Sequence, residues 1–141
     1  MAQPEHGTLT VCDISEEWTR VAKRYWNEAG VLSKIQPHPV QAVNTLDKPI
    51  AGGEAGTFEI IFIDADRENC EAYYERCLQL LRSGGLVAVD NAFWNGSVTV
   101  AENVDSRTRA IRNLNQKIHK DPRVRLSLLP IGDGLTLALK E

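Results

Sequence analysis

The sequence is poor in cysteine, and the few it has lack the spacing of a disulfide framework or a structural zinc site. The three cysteines, Cys12, Cys70 and Cys77, are odd in number and include no Cys-x-x-Cys pair. We therefore expect reduced, half-buried thiols rather than covalent or metal cross-links.

Long apolar runs and an excess of positive charge are also missing. No apolar stretch approaches the roughly 20 residues of a membrane span, and Met1–Gly7 lacks the charged and apolar blocks of a signal peptide. The sequence has 16 Lys and Arg and 19 Asp and Glu, which gives a net charge of -3. The basic residues are dispersed except at 107–112, which disfavours binding to a phosphate backbone. We expect a cytoplasmic protein with neither membrane nor nucleic-acid partners.

What the sequence does contain is two apolar runs that each end in acidic residues. Phe58–Ile63 precedes Asp64-Ala65-Asp66, and Leu86–Val89 precedes Asp90-Asn91. Such runs are typical of buried parallel strands, whose carboxyl ends form the functional rim of an open α/β sheet. The oxygens of Asp64, Asp90 and Asn91 would suit Mg²⁺ or Ca²⁺. The alternative is that these acids cap the helices that follow.

The 141 residues suffice for one domain, and the remaining pattern alternates strands with helices. The first predicted elements are a strand at 9–12 and a helix that is capped by Ser15 and has an apolar stripe at Trp18, Val21, Ala22, Tyr25, Trp26 and Ala29. An edge strand at 35–40, interrupted by prolines, and a short helix at 41–46 follow. The later elements are a helix at 68–82 ended by Gly84-Gly85, a helix from Asp105 that carries Ile111, Leu114 and Ile118, and a terminal hairpin at 124–128 and 135–139. This order predicts an α/β layer fold with a mixed sheet. The polar stretch 92–103 is predicted to be a surface loop over the rim and a candidate substrate wall.

Four strings resemble the cation-dependent S-adenosylmethionine (SAM) O-methyltransferases of the caffeoyl-CoA and catechol O-methyltransferase group. They are Phe62–Asn69, Arg82–Asn91, Trp94–Val98 and Leu129–Leu135, in the order expected of that family. The resemblance implies a Rossmann-like three-layer sandwich with a mostly parallel sheet and a C-terminal antiparallel hairpin. It also implies that residues 1–141 are a single SAM-dependent methyltransferase domain.

The resemblance implies roles for individual residues. The metal ligands of the family match Asp64, Asp90 and Asn91. Its cofactor-binding positions match Asp13, Ala42, Asp64, Asp66 and Tyr73. The loop that meets a small aromatic substrate matches Trp94 and Asn95. Asp13 would hold the ribose hydroxyls of SAM, Ala42 would lie against the adenine, and Asp66 and Tyr73 would lie near the amino acid end. Helix capping remains the alternative for Asp13, as does a place on the inner face of its helix for Tyr73.

The implied reaction is methyl transfer from a sulfonium to an aromatic hydroxyl by in-line displacement, assisted by a divalent ion. Where the family has a lysine as candidate general base, this sequence has Arg67. Arginine stays protonated near neutral pH, so it can stabilise a phenolate but is a poor proton acceptor.

The family also has N-terminal helices and a first strand with a glycine-rich turn, which this sequence lacks, and we expect an N-terminally truncated fold. The missing strand would lie between the Leu9 and Phe58 strands, where unpaired backbone groups are costly. The flanking strands could pair directly, a partner chain could donate or exchange an element, or the Leu9 unit could pack elsewhere. Each alternative favours self-association, and we expect a homodimer with or without element exchange.

Three functional hypotheses follow. The first is a working, or ancestrally working, O-methyltransferase. The second is a truncated non-catalytic family member that acts as an oligomeric binding module. A third, a metal-dependent hydrolase using Asp64 and Asp90, lacks a convincing base because the three histidines are scattered.

Overall fold

The computed structural model describes residues 7–39 and 42–141 and forms two compact units, Met1–Thr45 and Leu46–Glu141. The end of the predicted strand at Val40 and the start of the predicted helix at Gln41 lie outside the described residues. Each unit is described by itself below, and the single-domain assignment of 1–141 stays a prediction.

The first unit contains a parallel strand pair and one long helix. Strand β1 (Leu9–Cys12) pairs with β2 (Ile35–His38), and helix α1 (Glu16–Glu28) follows β1. The Ser15 hydroxyl accepts a hydrogen bond from the Trp18 amide at 3.2 Å, so the predicted N-cap is confirmed. In the described residues β2 has β1 as its strand partner alone, as predicted for an edge strand that contains proline.

Much of the apolar stripe of α1 is exposed, although Ala22 and Trp26 are half-buried. Trp18 retains 66% of its accessible surface, Tyr25 54% and Val21 40%, whereas Thr19 is the buried residue of this helix. The periodicity predicted the helix correctly. It did not reveal that this face would point to solvent, because a hydrophobic stripe does not specify what covers it.

The second unit is built on a four-stranded sheet in the order β3-β4-β6-β5. The strands are β3 (Phe58–Ile63), β4 (Leu81–Val89), β5 (Val124–Leu129) and β6 (Leu135–Lys140). The pair β3-β4 is parallel, and β4-β6 and β5-β6 are antiparallel. The α/β class and the predicted C-terminal hairpin are both confirmed.

Helices α3 (Cys70–Leu80) and α4 (Ser106–Lys120) pack on one face of this sheet. Their inward residues and the strand residues beneath them form the core, which includes Tyr73, Tyr74, Cys77, Leu78, Val87, Ile111, Leu114, Ile118 and Ala138, all at most 4% exposed. The predicted apolar face of α4 is buried as expected, and Tyr73 does lie on the inner face of α3. Asp105 caps α4 through the amides of Arg107 and Thr108. Cys70 and Cys77 are buried rather than half-buried as predicted, and Cys12 is half-buried.

Helix α2 covers Ala42–Ala51, which extends beyond the end predicted at residue 46. Helix α3 ends at Leu80, earlier than the predicted Arg82. The reason is that Leu81, which is fully buried, already pairs with Phe58 of β3, and Gly84-Gly85 lie in an irregular stretch of β4 before regular pairing resumes at Leu86.

Among the described residues, no helix has the length and apolar character needed to cross a bilayer.

Candidate functional site

The register of the parallel pair β3-β4 aligns the two acidic strand ends. Ile63 lies opposite Val89, and the amide of Asp90 donates to the carbonyl of Ile63 at 3.0 Å. Because parallel strands end at the same edge of a sheet, Asp64 and Asp90 leave their strands side by side.

Asn91 completes this edge through a left-handed turn. Its φ is 61°, and its amide donates to Asp90 Oδ1 at 2.7 Å. The Arg67 guanidinium links the residue after β3 to the turn after β4, because its Nη2 donates both to Asn91 Oδ1 and, at 3.3 Å, to Asp64 Oδ1. The structure therefore brings Asp64, Asp90 and Asn91 together at one rim.

The environment of this cluster is partly open to solvent. The side chain of Asp64 is 51% exposed, whereas that of Arg67 is 13% exposed. Asp64 pairs with Arg67 across a 3₁₀ turn (Arg67–Asn69) that has no side-chain cap. The alternative that Asp64 caps the following helix is thus not what the structure contains, while Asp90 does bind a backbone amide, that of Asn91.

Two carboxylates and one amide oxygen are a donor set that fits a hard divalent ion. Among residues 7–39 and 42–141, no three His, Cys, Asp or Glu side chains form a metal cluster by themselves, so the set depends on the Asn91 amide as third donor. Two of its three side chains, Asp64 and Asn91, meet one guanidinium nitrogen. Asp64 and Asn91 therefore both present an oxygen to the same cationic group, the Arg67 guanidinium.

A second polar group lies beside the cluster, around Asp66. Its Oδ1 accepts a hydrogen bond from the Tyr73 hydroxyl at 2.5 Å, and its Oδ2 accepts one from Asn69 Nδ2 at 2.5 Å. Partial burial raises the pKa of the Asp66 carboxyl, but the hydrogen bonds from Tyr73 and Asn69 outweigh burial and leave its pKa below the usual value. Burial, and then the bond to the Asp66 carboxylate, raise the pKa of Tyr73, so its phenol stays protonated and donates.

Asp13 and Ala42 belong to the first unit. Asp13 follows β1, and its Oδ1 accepts from the Ser15 amide at 2.8 Å, immediately before the cap of α1. This contact forms a local turn before the helix, and because Ser15 is the N-cap, Asp13 does not cap α1 as the alternative expected. Ala42 is half-buried and begins α2.

The loop that follows β4 carries Trp94 and Asn95 in strained backbone conformations. Their φ angles are 49° and 50°, and together with Asn91 they are the non-glycine residues with positive φ among those described. Such strain gathers at functional sites, where the surrounding structure holds it. Trp94 is half-buried rather than exposed as predicted, because the Arg67 Cζ lies 5.3 Å from the centre of its ring.

Several residues that hold this loop were not predicted as functional. The Arg112 guanidinium donates to the carbonyls of Val98 at 2.8 Å, Asn103 at 2.7 Å, Ser97 at 3.0 Å and Val100. Asp133 accepts from the amides of Phe93 at 2.8 Å and Asn95 at 2.7 Å, and Asn115 donates to the Ala92 carbonyl at 2.8 Å. No local pattern marks Arg112, because the carbonyls that it binds lie 9 to 15 residues earlier in the chain.

The fold is that of methyltransferases in the solved structures that this chain resembles. The O-methyltransferase TomG of Streptomyces achromogenes, in complex with SAM, matches with a TM-score of 0.88 and 27% identity over 97% of this chain and 63% of TomG. An O-methyltransferase from Bacillus cereus, in complex with SAH, matches with a TM-score of 0.86 and 28% identity over 96% of this chain and 63% of its own. Both confirm the predicted Rossmann-like α/β class.

The chain belongs to the O-methyltransferase family, whose sequence pattern matches residues 1–141. Catechol O-methyltransferase domain-containing protein 1 of Mus musculus is 46% identical over 140 residues, which are 99% of this chain and 53% of the mouse protein. Caffeoyl-CoA O-methyltransferase 1 of Eucalyptus globulus is 35% identical over 143 residues, 97% of this chain and 58% of the plant protein. The chain thus spans somewhat more than half the length of these relatives.

Proposed function

We propose that this protein transfers a methyl group from SAM to a hydroxyl of a catechol-like or other small aromatic acceptor, with the assistance of Mg²⁺ or Ca²⁺. The observation that carries the proposal is the convergence of Asp64, Asp90 and Asn91 at the carboxyl ends of two parallel strands, in a chain of the O-methyltransferase family. In α/β sheets this rim is where ligands bind.

Five residues are proposed to bind SAM because they match the cofactor-binding positions of the family. They are Asp13, Ala42, Asp64, Asp66 and Tyr73. The Asp66 carboxylate is held ionised by the donors Tyr73 and Asn69, which suits it to accept hydrogen bonds from an ammonium group such as that of SAM. Asp13 has a second carboxylate oxygen to offer to ribose hydroxyls.

Asp64, Asp90 and Asn91 are proposed to hold the divalent ion. When bound, such an ion supplies Lewis-acid chemistry that lowers the pKa of an acceptor hydroxyl. The protein's own contribution is to position the acceptor: the half-buried Trp94 ring and Asn95 line the loop beside the cluster. The Arg67 guanidinium can stabilise a phenolate, whereas an arginine side chain is a poor proton acceptor. The chain's residues thus orient the acceptor and compensate its charge, which favours in-line transfer.

A second candidate function is a non-catalytic family member that binds a ligand or partner as an oligomer. Arg67 at the lysine position favours it, and so does an exposed apolar sheet face. Ile60 and Phe62 of β3 are each 59% exposed and Leu139 of β6 is 41% exposed, on the face opposite the buried Val87 and Ala138. We propose that a second copy of this chain covers this face in a homodimer, with or without element exchange.

Calorimetric titration with SAM, with and without Mg²⁺, separates the two candidates. The enzyme proposal expects saturable binding that Asp13→Ala weakens, whereas Glu17→Ala, which removes an exposed carboxylate from the same unit, does not. No SAM binding at millimolar concentration would reject the enzyme and leave the binding module.

A further inference from the structure

The Arg67 guanidinium is contacted both by oxygen acceptors and by an aromatic ring. On one side Nη2 donates to Asp64 Oδ1 at 3.3 Å and to Asn91 Oδ1. On the other side the ring of Trp94 lies 5.3 Å from Cζ. Only 13% of the side chain remains exposed.

These contacts define a place that attracts a cation. A carboxylate oxygen, an amide oxygen and an aromatic face all present negative potential to the guanidinium. Two of these groups, Asp64 and Asn91, are also two of the three proposed ligands of the divalent ion. The cluster therefore contains a positive charge of its own at the point where an ion would bind.

We propose that Arg67 is a built-in competitor of the divalent ion: its guanidinium occupies the cation position between Asp64 and Asn91, and an ion binds only when this side chain swings away. This inference rests on the proposed function, because it concerns the same three ligands. A like charge within contact of the ligands disfavours the ion, and the guanidinium also uses the oxygen directions that the ion needs. The Trp94 ring strengthens the competitor by stabilising its bound position.

The proposal has a direct consequence for ion affinity. The unmodified chain binds divalent ions weakly, and removal of the Arg67 charge tightens binding. By contrast, an arginine that served only to hold the fold together would leave ion affinity unchanged or lower when it is replaced. Whether ion affinity rises or falls when Arg67 is replaced therefore distinguishes competition from a structural role.

The test is a titration of the intact chain with Mn²⁺, followed through the loss of the free-ion electron paramagnetic resonance signal. Arg67→Gln removes the charge and keeps a polar side chain, and we expect it to bind Mn²⁺ about tenfold or more tightly than the unmodified chain. Arg107→Gln, which removes an exposed arginine paired with Glu68 at 3.4 Å, is the matched control and should not change the affinity. Adding Asp90→Asn to Arg67→Gln should abolish the gain, because the gain arises at this cluster.

A folding check and a separate SAM titration are needed to interpret the Mn²⁺ titration. Circular dichroism verifies folding, and Arg67→Met serves in the same comparison if the glutamine variant does not fold. Mn²⁺ binding that is equal or weaker in the folded neutral variant overturns the proposal, as does a gain that survives loss of Asp90. SAM titration of the same samples tests the proposed function separately, since cofactor binding does not require the ion to displace Arg67.

Discussion

Ile63 lies directly opposite Val89 in the parallel pair of β3 and β4, and this register sets Asp64 beside Asp90 where the two strands end. A shift of one residue would turn one carboxylate to the other face of the sheet. The functional interpretation of the rim therefore rests on strand pairing that is buried and tightly specified, since Ile63 and Val89 are 4% and 5% exposed.

Asp90→Ala should remove ion binding and leave the fold largely intact. Asp90 is half-buried at the rim, and its one described side-chain bond is to the Asn91 amide, worth about 1 kcal/mol. Mn²⁺ titration and urea unfolding measure the two effects. Glu102→Ala, in an exposed position of the same loop region, is the control. Wholesale unfolding of Asp90→Ala would instead identify this residue as a structural cap.

Gly134→Ala should destabilise the protein and disturb the substrate loop. A Cβ at this position would lie 2.8 Å from the Phe93 ring, and φ is +88°. We expect a loss of about 2–4 kcal/mol in the free energy of unfolding, from the clash and the strained backbone together. Gly132→Ala is the matched control, because its φ is +56° but nothing lies within 4 Å, so it should lose only about 1 kcal/mol. Equal losses in the two variants would show that the contact with Phe93 is not tight.

Arg112→Ala should loosen the loop 97–103 more than it destabilises the fold. Four carbonyls of this loop accept from one guanidinium, and all four would lose these bonds, although the Ser97 and Val100 carbonyls keep backbone donors. Hydrogen exchange measured by mass spectrometry should report faster exchange in that segment, with a global loss of about 1–3 kcal/mol. Arg109→Ala, an exposed arginine on the same helix, should leave exchange unchanged. Unaltered exchange in Arg112→Ala would mean that the loop is held by other contacts.

Asp121 should make the protein sensitive to acid. The Arg123 guanidinium, and also the hydroxyl of the buried Tyr74 at 3.1 Å, hold the pKa of Asp121 at about 2. Because this pKa lies below the unfolded value of about 3.9, the contribution is fully present above about pH 5 and is lost as pH falls towards 2.

We expect this loss to be about 1–2 kcal/mol, since Arg123 is half exposed and solvent weakens the pair. Thermal unfolding of Asp121→Asn between pH 2 and 6 should have a correspondingly smaller pH dependence, while Glu102→Gln should follow the unmodified chain. An unchanged pH dependence in Asp121→Asn would contradict this account.

Self-association should weaken when the apolar sheet face is made polar. Phe62→Gln and Ile60→Gln replace side chains that are 59% exposed on one face of β3, so stability should change little while burial against a second copy is lost. Sedimentation velocity should then detect a shift from dimer to monomer. Ile131→Gln, equally exposed in the hairpin turn, is the control. A monomeric unmodified chain would reject the homodimer.

Local sequence signals predicted most of the elements and part of the site. Caps, periodicity and alternation sufficed for α1, α4 and the β5-β6 hairpin, because these depend on neighbouring residues. The end of α3 could not be predicted in this way, since the burial of Leu81 against β3 overrides the helical pattern. The exposure of Trp18 and Tyr25 also depends on what packs against them, which no local pattern encodes.

The same distinction holds at the rim. The convergence of Asp64, Asp90 and Asn91 could be predicted from strand ends alone. The position of Arg67 between two of them could not, because it depends on a side-chain conformation fixed by Trp94 from another loop. Likewise, the bonds of Arg112 to four loop carbonyls join segments that are separate in sequence.

The most direct test of the central claim is a transfer assay with SAM and a small catechol, with the product followed by mass spectrometry. The account predicts a mono-methylated product whose formation requires SAM, is stimulated by Mg²⁺ and is lost in Asp90→Ala. A folded chain that binds SAM yet yields no such product, or one whose Asp90→Ala variant retains full activity, would contradict it.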